Sequence, residues 1–231
     1  MTSDPLIINI DTALDSAFVS LARAGKMLDF ISSGEQKEHA VILHTGIKKL
    51  LQNQTIDISL VNAVAVTAGP GSYTGLRVGM AAAKGLCYAL NIPLITIPTL
   101  ELLTQNAFKL LPEAYDAYCP MIDARRLEVF TAMYAEDLTI LSKPSALVLS
   151  PECFNEELER MRIVYFGNGA FKFQALTNHE NAIFSSPMMI PETMCTISFD
   201  MFTKKTFSDI AFTTPLYIKE FHTIASTSGN L

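Results

Sequence analysis

Two aspartates carry the first suggestion of chemistry. Asp11 closes the short apolar run LIINID, and Asp123 closes the run CPMID. Carboxylates at the ends of two strands can hold a magnesium ion and activate an acceptor hydroxyl. With Thr12 and Arg125 beside them, the two acids mark a candidate nucleotide cleft. The residues that follow argue against a working one. Phosphates approach a backbone closely where glycine leaves room. Asp11, however, runs into Thr12-Ala13-Leu14, and Asp123 into Ala124-Arg125-Arg126. The cleft therefore reads as vestigial. A structural role is open to each acid, Asp11 capping a hairpin turn and Asp123 pairing with Arg125 or Arg126.

A glycine loop is the second candidate, in VTAGPGSYTGLRVGMAAAKG over residues 66–85. It fails three sharp patterns. Leu76 stands where a phosphate-binding loop needs lysine. Gly69, Gly71 and Gly75 are spaced one residue too far for a dinucleotide fingerprint. Pro70 removes the first glycine of a nucleophile elbow around Ser72. What remains is a strand-to-helix turn, with Ser72 or Thr74 as the helix cap.

Metal and redox chemistry find little support. His39 and His44 lie five apart on a helical pattern and do not share a face; His179 and His222 are remote. Cys87, Cys119, Cys153 and Cys195 form no C-x-x-C pair, which suits a reduced, cytoplasmic protein. No metal and no cofactor is expected. The net charge of −6 and the lack of a Lys/Arg-rich run disfavour direct grip on nucleic acid. Hydrophobic residues make up 49% and charged residues 17%, so apolar surface remains for a partner to cover. The start, MTSDPLIINID, has no basic region and does not read as a signal peptide, and no 18-residue apolar run without charge or proline occurs, so neither a leader nor membrane association is expected.

The elements that must position these residues follow a repeated plan. LIINI reads as a strand, SAFVSLARAG and KMLDFISS as a hairpin about Gly25, and Ser33 with Gln36 as a capping box. EQKEHAVILHTGIKKLL reads as a helix, AVAV as a strand before the loop, LITIP as another strand, and TLELLTQNAFKLL as a helix. CPMIDARRLEVFTAMYAEDLTIL then lies on LIINIDTALDSAFVSLARAGKML without a gap. Asp11 falls on Asp123, and the Gly25 turn on Asp137. A helix in PECFNEELERM, the strand IVYF, GNGA in the place of GPGS, and the helix AFKFQAL complete a second unit. A duplicated β-β-β-α-β-α unit is the plan of the actin, hexokinase and Hsp70 superfamily (ASKHA, RNase H-like). The predicted fold is therefore α/β with two lobes, residues 1–110 and 111–231. Beyond residue 178, TISFDMFTKKTF reads as a helix, PLYIKEF as a short strand, and TIASTSGNL as a disordered tail.

The runs INIDTA, EHAVILHTGIKKLL, GPGSYTGLRVGMAAAKGL, MIDARRLEVFTAMY, FGNGA and PLYIK come in the order of the TsaB family, and the sequence resembles that family over nearly its whole length. Leu14 and Asp15 depart from its pattern, and residues 178–212 match little. The resemblance implies a non-catalytic paralogue of TsaD, without that subunit's metal-binding histidines. It implies a role in placing threonylcarbamoyl on adenosine 37 of tRNA. It also implies pairing with TsaD, joined by the ATPase TsaE, a homodimer where TsaD is absent, and only indirect contact with tRNA.

The helix after the glycine loop fits such a role. Leu76, Met80, Ala83, Cys87 and Leu90 form one apolar stripe; Gly75, Gly79, Ala82 and Leu86 form another. One stripe is expected on the sheet and the other against a second helix of the same lobe or of a partner. The expected docking face comprises His39, Ile42, Gly46, Gly75, Arg77, Gly79 and Ala82. Two other readings compete. An ATP-dependent small-molecule kinase would use Asp11 and Asp123, and a metallopeptidase would need paired histidines.

Overall fold

The computed structural model describes residues 4–34, 39–186 and 190–218, the side chains of residues 39–41 excepted. Two five-stranded sheets carry the chain. The first is built from β1 (Leu6–Asp11), β2 (Ala17–Arg23), β3 (Lys26–Ser33), β4 (Ala63–Gly69) and β5 (Leu94–Pro98), in the order β3-β2-β1-β4-β5. The second is built from β6 (Ala117–Asp123), β7 (Glu128–Tyr134), β8 (Ile140–Val148), β9 (Ile163–Phe166) and β10 (Ala182–Phe184), in the order β10-β9-β6-β7-β8. Read from the matching edges, the orders are the same. In each sheet the first three strands run antiparallel, and the fourth and fifth join in parallel. The duplicated two-lobe fold read from the sequence is the fold observed.

Helices cover both faces of the first sheet. α1 (His39–Asn53) and α2 (Tyr73–Leu90) cover one face; α3 (Thr99–Leu110) and α6 (Pro191–Thr203) cover the other. This explains why LIINID is buried throughout rather than alternating between core and solvent. Leu6, Ile8 and Ile10 face α1 and α2, while Ile7 faces α3 and α6. α3 is shared, since Leu100, Leu103 and Ala107 also pack on Tyr118, Ile122 and Phe166 of the second sheet. The short helices α4 (Asn155–Leu158) and α5 (Ala170–Gln174) close that sheet's outer face around Tyr165 and Phe173.

The expected turns are present. Ala24 and Gly25, at φ 48° and 77°, make the two-residue hairpin turn between β2 and β3. Ser72 caps α2 by accepting from the Gly75 N–H at 3.3 Å. Three features differ from expectation. β10 is a strand that the sequence reading passed over. The helix expected across residues 151–161 is a single turn, α4. Residues 215–218 form no strand. They run as part of a strap from β5, where Ser208 N–H donates to the Leu94 carbonyl at 2.8 Å, along α2 to Ala68, whose carbonyl accepts from the Leu216 N–H at 2.6 Å. Gln36 of the capping signature and the tail TIASTSGNL lie outside the described residues. Among the described residues, no helix is long and apolar enough to cross a membrane.

Candidate functional site

The two acids occupy equivalent positions and make equivalent turns. Asp11 Oδ1 accepts the Ala13 N–H at 3.0 Å; Asp123 Oδ1 accepts the Arg125 N–H at 2.5 Å. Each carboxylate thus closes its own turn two residues on. Both are committed further. Asp11 is buried and accepts the Thr67 hydroxyl at 2.9 Å. Asp123 takes the Lys172 ammonium at 2.6 Å, and Lys172 also donates to the Glu128 carbonyl at 3.1 Å. That lysine is nearly buried, so a fixed positive charge from α5 sits on the second strand-end acid. Asp123 therefore binds Lys172 and the Arg125 backbone rather than an arginine side chain. Arg125 and Arg126 both adopt left-handed φ, 71° and 50°, and turn exposed side chains outward. The first turn is also closed from within, as Thr12 Oγ1 donates to the Gly75 carbonyl at 2.7 Å. Among the described residues, no cluster of three or more His, Cys, Asp or Glu has the spacing of a metal site.

The expected docking residues divide sharply. Gly75 and Gly79 are not on the surface. A side chain on either would run into Thr12, its carbonyl oxygen for Gly75 and its hydroxyl for Gly79. The close approach that this glycine stripe permits is made by the β1–β2 turn of the same lobe, neither by another helix nor by a partner. Gly46 is likewise buried, and a Cβ there would lie 2.9 Å from Val19 Cγ2. Ile42 is buried as well. Arg77 is exposed but held within the chain; its Nε donates to Tyr217 Oη at 3.2 Å and its guanidinium lies 4.3 Å over the Tyr73 ring. The His39 side chain lies outside the described residues. Among the six whose side chains are described, Ala82 lines an open groove.

That surface is a groove of about 700 Å3 between the C-terminal halves of α1 and α2 and the chain after α1. His44, Ile47, Lys48 and Leu51 line it from α1, Ala82 and Leu86 from α2, and Ile56 and Ile58 from the loop. The sequence reading missed most of these residues. The available signal was the overlap of two stripes: Ile47 and Leu51 continue the apolar face of α1 just where Ala82 and Leu86 depart from the sheet-facing stripe of α2.

Fold and site together define a two-lobed protein with the duplicated fold plan of the actin, hexokinase and Hsp70 class, in which the two strand-end acids are engaged by its own side chains and backbone. The sequence model of TsaD, tRNA N6-adenosine threonylcarbamoyltransferase, matches residues 31–218, and the chain belongs to that family. Its curated relatives carry another name within the family. The "tRNA threonylcarbamoyladenosine biosynthesis protein TsaB" of Buchnera aphidicola from Schizaphis graminum is 36% identical over 45% of this chain and 49% of its own length, so that match spans about half of the relative. The protein of the same name from Escherichia coli K12 is 26% identical over 92% of this chain and 94% of its own length. A Pseudomonas aeruginosa crystal structure, described as a protein with similarity to peptidase YEAZ, superposes with a TM-score of 0.79 at 19% identity. It covers 93% of this chain and 100% of that one, and it bears on the fold alone. The TsaB resemblance read from the sequence thus stands on relatives that carry that name.

Proposed function

We propose that this protein is a non-catalytic subunit in the formation of N6-threonylcarbamoyladenosine at adenosine 37 of tRNA. In this reading it binds and activates a TsaD subunit, with the ATPase TsaE as a third member. It forms a homodimer through the same face where TsaD is absent, meets tRNA only indirectly, and works in the cytoplasm. The observation that carries the reading is the state of the cleft. One strand-end acid is buried under Thr67 and its own turn, and the other is neutralised by Lys172. A kinase of the same class would need both carboxylates for magnesium and acceptor. The names of the curated relatives supply the pathway.

The docking lobe is residues 1–110, and the docking face is the α1–α2 groove with Ala82 at its centre, in place of the glycine stripe. Apolar walls with His44 and Lys48 at the edge suit a helix of a partner subunit. Reconstitution tests the function directly. Modified adenosine is measured with TsaD, TsaE, threonylcarbamoyl-adenylate and tRNA, with and without this chain. Formation is expected only when the chain is present. Turnover of ATP by the purified chain alone would overturn the reading.

A further inference from the structure

The turn after β1 does more at the cleft than cap a strand. Leu14, half-buried, leaves the first lobe and packs against the cluster that α3 forms with Tyr118 and Phe166 of the second sheet. Asp15, next in the chain, accepts at Oδ2 a hydrogen bond of 3.0 Å from Asn168 Nδ2. Asn168 uses its other amide atom on its own lobe, where Oδ1 accepts the Asp123 N–H at 2.9 Å. The backbone N–H can only donate, so the oxygen must face it and the amino group must face Asp15. One asparagine therefore ties the turn beyond Asp11 to the strand end at Asp123.

We propose that Leu14, Asp15 and Asn168 form a latch that holds the two lobes together across the mouth of the cleft. The polar half is solvent-exposed and the apolar half is a single leucine at the edge of the α3 cluster, so the latch can break while that buried cluster keeps the lobes together. The latch is independent of the subunit role, because it concerns contacts within one chain.

Hydrogen exchange on the full-length protein tests the proposal. Asp15→Ala removes the acceptor at an exposed position and leaves the folded lobes intact. Exchange at Asp123 and Gly169, both hydrogen-bonded amides of the opposite lobe, is expected to rise roughly two- to tenfold, the range set by one lost hydrogen bond. β1, β4 and β9 keep their wild-type rates. Asp15→Asn retains an acceptor for Asn168 and is expected to behave as wild type. Leu14→Ala reproduces the effect of Asp15→Ala through the apolar half. The proposal is overturned if Asp15→Ala leaves exchange in the opposite lobe unchanged, if the rise is spread evenly over the core strands, or if Asp15→Asn exchanges like Asp15→Ala.

Discussion

Gly79 lies flat against Thr12, with no room for a methyl group between its α-carbon and a hydroxyl oxygen that is itself bonded to the Gly75 carbonyl. The glycine stripe of α2 is thus the seat of the β1–β2 turn. It seats Thr12, the residue that follows Asp11. A substitution there perturbs the fold before it perturbs any partner.

Gly79→Ala is expected to destabilise the protein by about 1–3 kcal/mol, since the added carbon overpacks a buried contact. Gly85, on the same helix, has open space where a side chain would go. Gly85→Ala is expected to stabilise by about 0.5–1 kcal/mol, the ordinary helix preference. Thermal unfolding of the two variants checks the pair, and shifts of the same sign would contradict the packing described.

Ala82→Trp fills the α1–α2 groove without touching the cleft. The variant is expected to keep the wild-type circular dichroism spectrum and to lose co-elution with TsaD. Phe212→Ser, at an exposed position on the strap beside Lys84, serves as the control and is expected to co-elute normally. Retained binding by Ala82→Trp would remove the groove from consideration as the docking face.

Lys172→Met strips the cation from a half-buried Asp123. The expected loss is about 1–3 kcal/mol, below the figure for a fully buried pair because Asp123 is partly wetted. Adding Asp123→Asn removes the stranded charge and is expected to restore part of the loss. Urea unfolding of the single and double variants measures the coupling, and additive effects would show that the two groups do not act as a pair.

Burial pushes the Cys87 thiol up to about 11 and the Cys119 thiol up to about 12. Raised values mean that both stay protonated, and therefore unreactive, from neutral pH to pH 9. Cys195 is buried and shifted in the same direction. Cys153 is the partly exposed thiol. Iodoacetamide at pH 8 is expected to label Cys153 in the native protein and all four cysteines only after denaturation. Mass spectrometry of the native protein reads the outcome directly, and early labelling of Cys119 would show that its core opens.

The repeat was legible because it is written in local signals that agree with one another. The acid-terminated apolar runs, the turn residues near 25 and 137, and the paired Gly-x-Gly segments each place an element. What sequence could not convey was which surfaces meet. A small-residue stripe says that some backbone comes close, but not whose; here it is Thr12, a turn residue with no periodicity of its own. Lys172 was passed over because a lone lysine on a short helix looks like any solvated charge until Asp123 stands beside it. Leu14 was noticed as part of a turn without glycine, and Leu14 and Asp15 as departures from a family pattern; their roles emerge only with α3, Tyr118 and Asn168 in place. PLYIKEF was read as a short strand, whereas its described residues form none, and Leu216 N–H donates to the Ala68 carbonyl.

α6 comes from the end of the described chain, yet it buries Met194 and Ile197 against Ile7, Phe18 and Ile95 of the first sheet. During synthesis, that sheet therefore emerges from the ribosome with part of one greasy side bare, and must wait for some hundred further residues before its lid arrives. The nascent first half is in that interval a natural client for a chaperone. A fragment ending at residue 110 would stay in that unfinished condition indefinitely.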